Sequence, residues 1–106
     1  MKLSELKTRL CAKELFMPDP EKEVEEGYCG DFLSFVMQRA PEGSVWFTVM
    51  TNINVAAVAS LTGVSAIVVC EGSKSDAQLV ERIKNTDVAL LETDLDIFGA
   101  VKAFLK

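Results

Sequence analysis

Two runs, "SVWFTVM" (Ser44 to Met50) and "SAIVVC" (Ser65 to Cys70), limit most strongly what this chain can become. Both are rich in β-branched or aromatic residues, so both read as strands. Neither shows the apolar/polar alternation of a sheet with one face in water. Strands that are apolar on both faces belong in a sheet covered on both sides, which is characteristic of parallel sheets. The intervening segments agree. Ile53 to Leu61, "INVAAVASL", is an alanine-rich helix closed by Gly63. Asp76 to Lys84 reads as a helix with Leu79, Val80 and Ile83 inward, and Asp87 to Leu91, "DVALL", as the last strand. A final helix, with Thr93 or Asp94 as its cap, carries Ile97, Phe98, Val101 and Phe104. Three strand–helix units in succession predict an α/β fold: a mostly parallel sheet covered by helices on both faces, joined by right-handed crossovers.

The N-terminal part is less regular. Leu3, Leu6 and Leu10 have helical spacing, with Ser4 as the expected N-cap, and a short strand is expected over 11–16. "MPDPEKEVEEG" breaks regular structure through Pro18 and Pro20 and reads as a solvated acidic loop. A second helix follows, capped by Asp31, with Phe32, Leu33, Val36, Met37 and Ala40 as its apolar face and Pro41 and Gly43 at its end. A length of 106 residues and 49% hydrophobic content suit a single domain over 1–106 with a real core.

Composition removes several kinds of chemistry. The chain has no histidine, which excludes histidine general acid–base catalysis and Ser-His-Asp hydrolysis. Its three cysteines, Cys11, Cys29 and Cys70, are widely spaced and form no C-x-x-C pair, so no zinc site is expected. They read as free, mostly buried thiols of a cytoplasmic protein. A net charge of −5 disfavours nucleic acid and anionic membranes as partners. The charged N-terminus does not resemble a signal peptide, and no apolar stretch reads as a membrane span.

Ligands of open parallel sheets bind beyond the carboxyl ends of the strands. Three loops are expected there: Thr51 to Asn54, Glu71 to Ser75, and Glu92 to Asp94. "EGSKS" resembles a phosphate-binding loop in outline, but Ser73 separates Gly72 from Lys74, and Ile67 stands where the first glycine belongs. Two readings stay open. Gly72 can turn the chain while Ser75 and Gln78 form a capping box, or Gly72 and Ser73 can touch an anion at a helix N-terminus. Candidate ligand-binding residues are therefore Asp31, Thr51, Asn52, Asn54, Gly72, Ser73 and Thr93. No catalytic residue, metal site or cofactor is expected. The small residues Ala56, Ala57, Ala59 and Ser60 fit either a buried central helix or one packed against a second subunit.

From Glu25 to Gly72 the chain resembles the DRTGG domain family. The resemblance rests on the Gly27-Tyr28 turn before Gly30-Asp31, Leu33-Ser34, Val36-Met37, Gly43, Val45-Trp46 with Thr48, the Thr51-x-x-Asn54 turn, the Ala-Val-Ala-Ser helix and the Gly63 turn. Val24-Glu25-Glu26-Gly27 stands where the family's Arg-Thr-Gly-Gly turn belongs. The family is similar to the N-terminal domain of HPr kinase/phosphorylase and occurs as an accessory module in some phosphotransacetylases and inorganic pyrophosphatases. The resemblance implies that fold and a cytoplasmic, non-catalytic regulatory module, expected as a homodimer, that takes a small anionic ligand or a partner protein. A nucleotide- or phosphometabolite-binding protein, or a structural subunit of a larger complex, is the alternative.

Overall fold

A computed structural model describes all residues, 1–106. The elements run α1 (Leu3–Arg9), β1 (Lys13–Phe16), β2 (Gly27–Cys29), α2 (Leu33–Arg39), β3 (Val45–Thr48), α3 (Asn54–Thr62), β4 (Ala66–Val69), α4 (Ala77–Ile83), β5 (Ala89–Glu92) and α5 (Ile97–Leu105). The five strands form one sheet in the order β1-β5-β4-β3-β2. Strands β2 to β5 are parallel neighbours in chain order, and β1 closes the other edge antiparallel to β5. The register aligns Tyr28, Trp46, Ile67 and Leu90 across the sheet.

Alternation along the strands divides the core in two. Trp46, Ile67, Val69 and Leu90 face one side and pack under α2, α3 and α4, against Val36, Val55, Ala59, Leu79 and Ile83. Val45, Phe47, Val68 and Leu91 face the other side and meet Leu3, Leu6 and Leu10 of α1 and Ala100 and Phe104 of α5. Every residue of β3, β4 and β5 is buried. Both faces are therefore covered, as the apolar runs predict. The strand order explains why three consecutive helices share a face. Each crossover from β2 to β5 steps one strand in the same direction, so crossovers of one hand place their helices on one side. After β5 the chain turns to the opposite side and forms α5.

Several local expectations are revised. Gly27-Tyr28-Cys29 is an edge strand rather than a turn, so there are four parallel strands. Lys2 occupies the N-cap of α1, not Ser4, and Glu5 reaches back to its amide at 3.3 Å. Phe32 is the N-cap residue of α2 and makes no side-chain cap bond, so Asp31 does not cap it. On α2 only Val36 is buried, while Phe32 (61% exposed), Phe35 (44%) and Met37 (49%) face solvent. The apolar face expected of α2 is therefore only partly covered, since the edge strand β2 has just three residues. Phe98 is likewise exposed, and Ala100 and Phe104 anchor α5. Cys70 is buried, but Cys11 and Cys29 are exposed. On α3, Val55, Ala56, Val58 and Ala59 are buried, which favours the central-helix reading for those positions. Gly63 ends α3 with a φ of 74°, the left-handed geometry that glycine adopts without a Cβ penalty. No helix is long and apolar enough to cross a membrane.

Phe47 is fully buried and its ring centroid lies 5.7 Å from that of Phe104. Phe47→Ala should destabilise the fold by about 3–5 kcal/mol, read as a lower denaturant midpoint with an unchanged slope. A loss under about 1 kcal/mol would contradict the packing described.

Candidate functional site

The carboxyl ends of the parallel strands gather the predicted loops along one edge, in strand order. At the β2–α2 loop, the Asp31 carboxylate accepts hydrogen bonds from Thr48 Oγ1 (2.7 Å) and from the amide of Val49 (2.9 Å). Trp46 Nε1 donates to the carbonyl of Gly30 at 2.9 Å. Asp31 thus ties the edge strand's loop to the end of β3. Its side chain is used across the sheet because Phe32, with extended backbone, separates it from the first turn of α2.

Thr51 and Asn52 lead into α3. Asn52 Oδ1 accepts from the amide of Asn54 at 2.9 Å, a local turn bond. The carbonyl of Thr51 accepts from the amide of Asp76 at 2.9 Å and fastens this loop to the next one. In the β4–α4 loop, Glu71 and Gly72 have φ of 65° and 69°. Their amides donate to the carbonyls of Leu95 (2.8 Å) and Thr93 (3.0 Å), and the Ser73 amide donates to Cys70 (3.2 Å). Ser75 donates its amide to Glu92 Oε2 at 2.7 Å. A phosphate-binding loop works by leaving its amides free to face the anion. Here the amides of Glu71, Gly72, Ser73, Ser75 and Asp76 are already bonded to the protein. The capping box also fails. Asp76, not Ser75, is the N-cap residue of α4, and it makes no side-chain cap bond.

Thr93 is buried; its hydroxyl donates to the carbonyl of Leu10 at 2.8 Å and accepts from the amide of Leu95 at 3.3 Å. The cap of α5 is Asp96, which accepts from the amide of Gly99, rather than Thr93 or Asp94. These bonds join the β5–α5 loop to the α1–β1 turn, where Cys11 has a φ of 49°. Cys11 and Glu71 are the two non-glycine residues with positive φ, and they sit in the turns on either side of the β5–α5 loop.

The strand order makes this end of the edge distinctive. The connection after β4 goes to one face and the connection after β5 to the other, so their loops part at a topological switch point. Two recesses open there. A small one of about 110 Å³ is lined by Lys13, Gly72, Lys74, Glu92 and Asp94. A larger one of about 400 Å³ lies between the end of α1 and the side of α5, with Arg9, Lys102 and Lys106 around Leu10, Leu95 and Ala103. Cys11, Thr93 and Asp94 line both. Glu92 is 6% exposed and turned inward, held by Ser75 and, at 4.0 Å, by Lys74. Of the predicted residues, the structure brings Gly72 and Thr93 together here. Ser73 stands beside Gly72 in the same loop. Asp31, Thr51, Asn52 and Asn54 lie further along the edge, toward β2. Apart from Lys74, the basic residues around the recesses carry no signal in the sequence. They come from α1, β1 and α5, and no local spacing connects them.

The thiol of Cys70 is pushed up to about 12, chiefly by burial and further by Cys29, Glu71 and Asp31 nearby. Cys29 is raised as well, by burial and by the Asp31 charge. Both are thereby kept as neutral thiols, the opposite of what a nucleophilic cysteine requires.

No protein-family model matches the sequence, and no functionally curated protein matches it. Among solved structures, the chain is similar to the CBS and DRTGG domains of the regulatory region of Clostridium perfringens pyrophosphatase, complexed with its activator diadenosine tetraphosphate. The TM-score is 0.82 at 15% identity, over 98% of this chain. This chain spans 46% of that one. The likeness shows a common fold.

Two outcomes check the edge chemistry. Asp31→Ala strands the Thr48 hydroxyl and the Val49 amide and should cost about 1–3 kcal/mol; unchanged thermal stability would contradict the bridging role. The folded state holds the Cys70 proton more tightly than the unfolded chain does. Stability conferred by Cys70 is therefore complete below the ordinary thiol value of 9.0 and declines as pH rises from there toward 12. Chemical denaturation across that range should show a shallower decline in Cys70→Ala than in the parent protein.

Proposed function

We propose that this chain is a non-catalytic regulatory module of the DRTGG type, acting as a homodimer that binds a small anionic ligand at its strand-end edge. The observation that carries the reading is the fold shared with the regulatory region of a pyrophosphatase over almost the whole chain. In that protein the region is complexed with a nucleotide activator, and the residue pattern of the family resemblance runs through the same loops. The chemistry of the chain supports a module without turnover of its own. It has no histidine, its raised thiols stay protonated, and the amides of its Gly72 loop are internally bonded.

Support for the homodimer comes from α2. Phe32 and Phe35 stack edge to face at 4.9 Å, the Arg39 guanidinium lies 4.0 Å from the Phe35 ring, and Met37 is exposed on the same short helix. Aromatic and methionine side chains with an arginine are the composition of interface centres. The patch adjoins β2, an edge strand with one side of its backbone unpaired.

A thermal-shift screen of nucleotides and phosphorylated metabolites tests the ligand reading. A binder at a hundred times Kd gains about 2.7 kcal/mol of stability. The expected result is such a gain with no hydrolysis of ATP; turnover of ATP by the pure protein would overturn the non-catalytic reading. Sedimentation should show a concentration-dependent dimer that Phe35→Glu converts to monomer. A parent protein that stays monomeric at high concentration would overturn the dimer.

A further inference from the structure

The acidic balance of the chain makes one region anomalous. Acids outnumber bases by 16 to 11, yet Arg9, Lys13, Lys74, Lys102 and Lys106 all border the two recesses at the β4/β5 switch point. Only Lys74 has a carboxylate partner, and that is Glu92 at 4.0 Å. The other four take part in none of the five ion pairs of the molecule. Lys102, whose ammonium lies 5.6 Å from the Phe98 ring centroid, and Lys106, the C-cap residue of α5, are four positions apart, where like charges repel. Arg9 is held toward α5 by a bond from Nη1 to the carbonyl of Phe104 at 3.4 Å, which fixes a cation opposite those lysines. Uncompensated cations gathered around a concave site are relieved by an anion.

We infer that the recess between α1, α5 and the β5–α5 loop binds an oligophosphate carried on a small organic group, held by Arg9, Lys102 and Lys106, with Lys13 in the adjoining smaller recess. This deepens the proposed function and rests on its ligand-sensing reading. Three cations line this recess and Lys13 stands in the adjoining one, a set that suits a polyvalent anion, and the arginine offers the planar donor fork that suits phosphate oxygens. A volume of about 400 Å³ falls at the lower end of small-molecule sites, and Leu10, Leu95 and Ala103 offer an apolar wall to the organic group. The two acids nearby do not block the anion in the same way. Glu92 is turned inward onto Ser75 and Lys74. Asp94 lines both recesses, and its carboxylate lies over Gly72, 3.3 Å from where a Cβ would stand. Asp94 thereby sets a limit on how far an anion can extend toward Lys74. The ligand would bridge the end of α1 and the side of α5, two elements otherwise linked at this point through Thr93, Leu10 and the Arg9 bond.

The test is isothermal titration of the full chain with tripolyphosphate and with ATP, free of divalent cations, and with citrate as a non-phosphate anion of similar charge. Saturable binding of both phosphates is expected, tighter for ATP and weakened as salt rises from 50 to 300 mM (roughly the range in which exposed charges become screened). Lys102→Gln and Lys106→Gln should each weaken binding about tenfold, and Lys84→Gln at the end of α4 should leave it unchanged. Binding that survives Lys102→Gln and Lys106→Gln but is lost in Asn52→Ala would overturn this placement while leaving the ligand-sensing reading intact. Citrate binding as tightly as tripolyphosphate would overturn the phosphate assignment. A chain whose melting responds to an uncharged metabolite but to neither phosphate would overturn this inference alone; a chain that responds to no ligand at all would overturn the reading beneath it as well.

Discussion

The burial of β3, β4 and β5 on both faces is the constraint on which the rest of the structure depends. The twelve residues of these strands are all buried, so their amides and carbonyls must pair within the sheet. Side chains pointing both ways must each find a helix. That requirement calls for two helical layers, and α2, α3 and α4 on one side with α1 and α5 on the other supply them.

The two layers in turn create the candidate site. Because β2 to β5 advance in one direction, their connecting helices share a face, and the loops between them are tied to one another by bonds such as Asp76 to Thr51. Only after β5 does the chain change faces. The loop that makes this change must pass over the end of the sheet, where it meets the α1–β1 turn, and Thr93 fastens the two together. The recess is therefore a consequence of the change in layer. Its basic residues stand on the elements that change brings together.

Polar side chains on the edge show how local chemistry yields to packing. Asp31 and Thr93 both stand where a helix cap is expected, and neither caps. Asp31 bonds Thr48 and Val49, and Thr93 bonds Leu10. In each case the partner lies at least 17 positions away. A capping preference is a local tendency of about 1 kcal/mol, and a buried cross-sheet bond of similar strength can redirect it once the sheet has placed the partner there.

The sequence by itself determined the layered α/β architecture, because "SVWFTVM", "SAIVVC" and "DVALL" are apolar on both faces and tolerate no other environment. It also marked Gly63 and the failure of the Gly72 loop as a phosphate motif, since both depend on neighbouring residues only. Tertiary structure decided the strand order, the edge strand at Gly27–Cys29, and the exposure of Phe32, Phe35 and Met37. Three residues with a leading glycine carry too little pattern to announce a strand, and periodicity identifies an apolar face without saying whether anything covers it. The cluster of Arg9, Lys13, Lys102 and Lys106 was decided there too. Those residues come from the two ends of the chain, which the antiparallel pairing of β1 with β5 and the packing of α1 with α5 bring to one place.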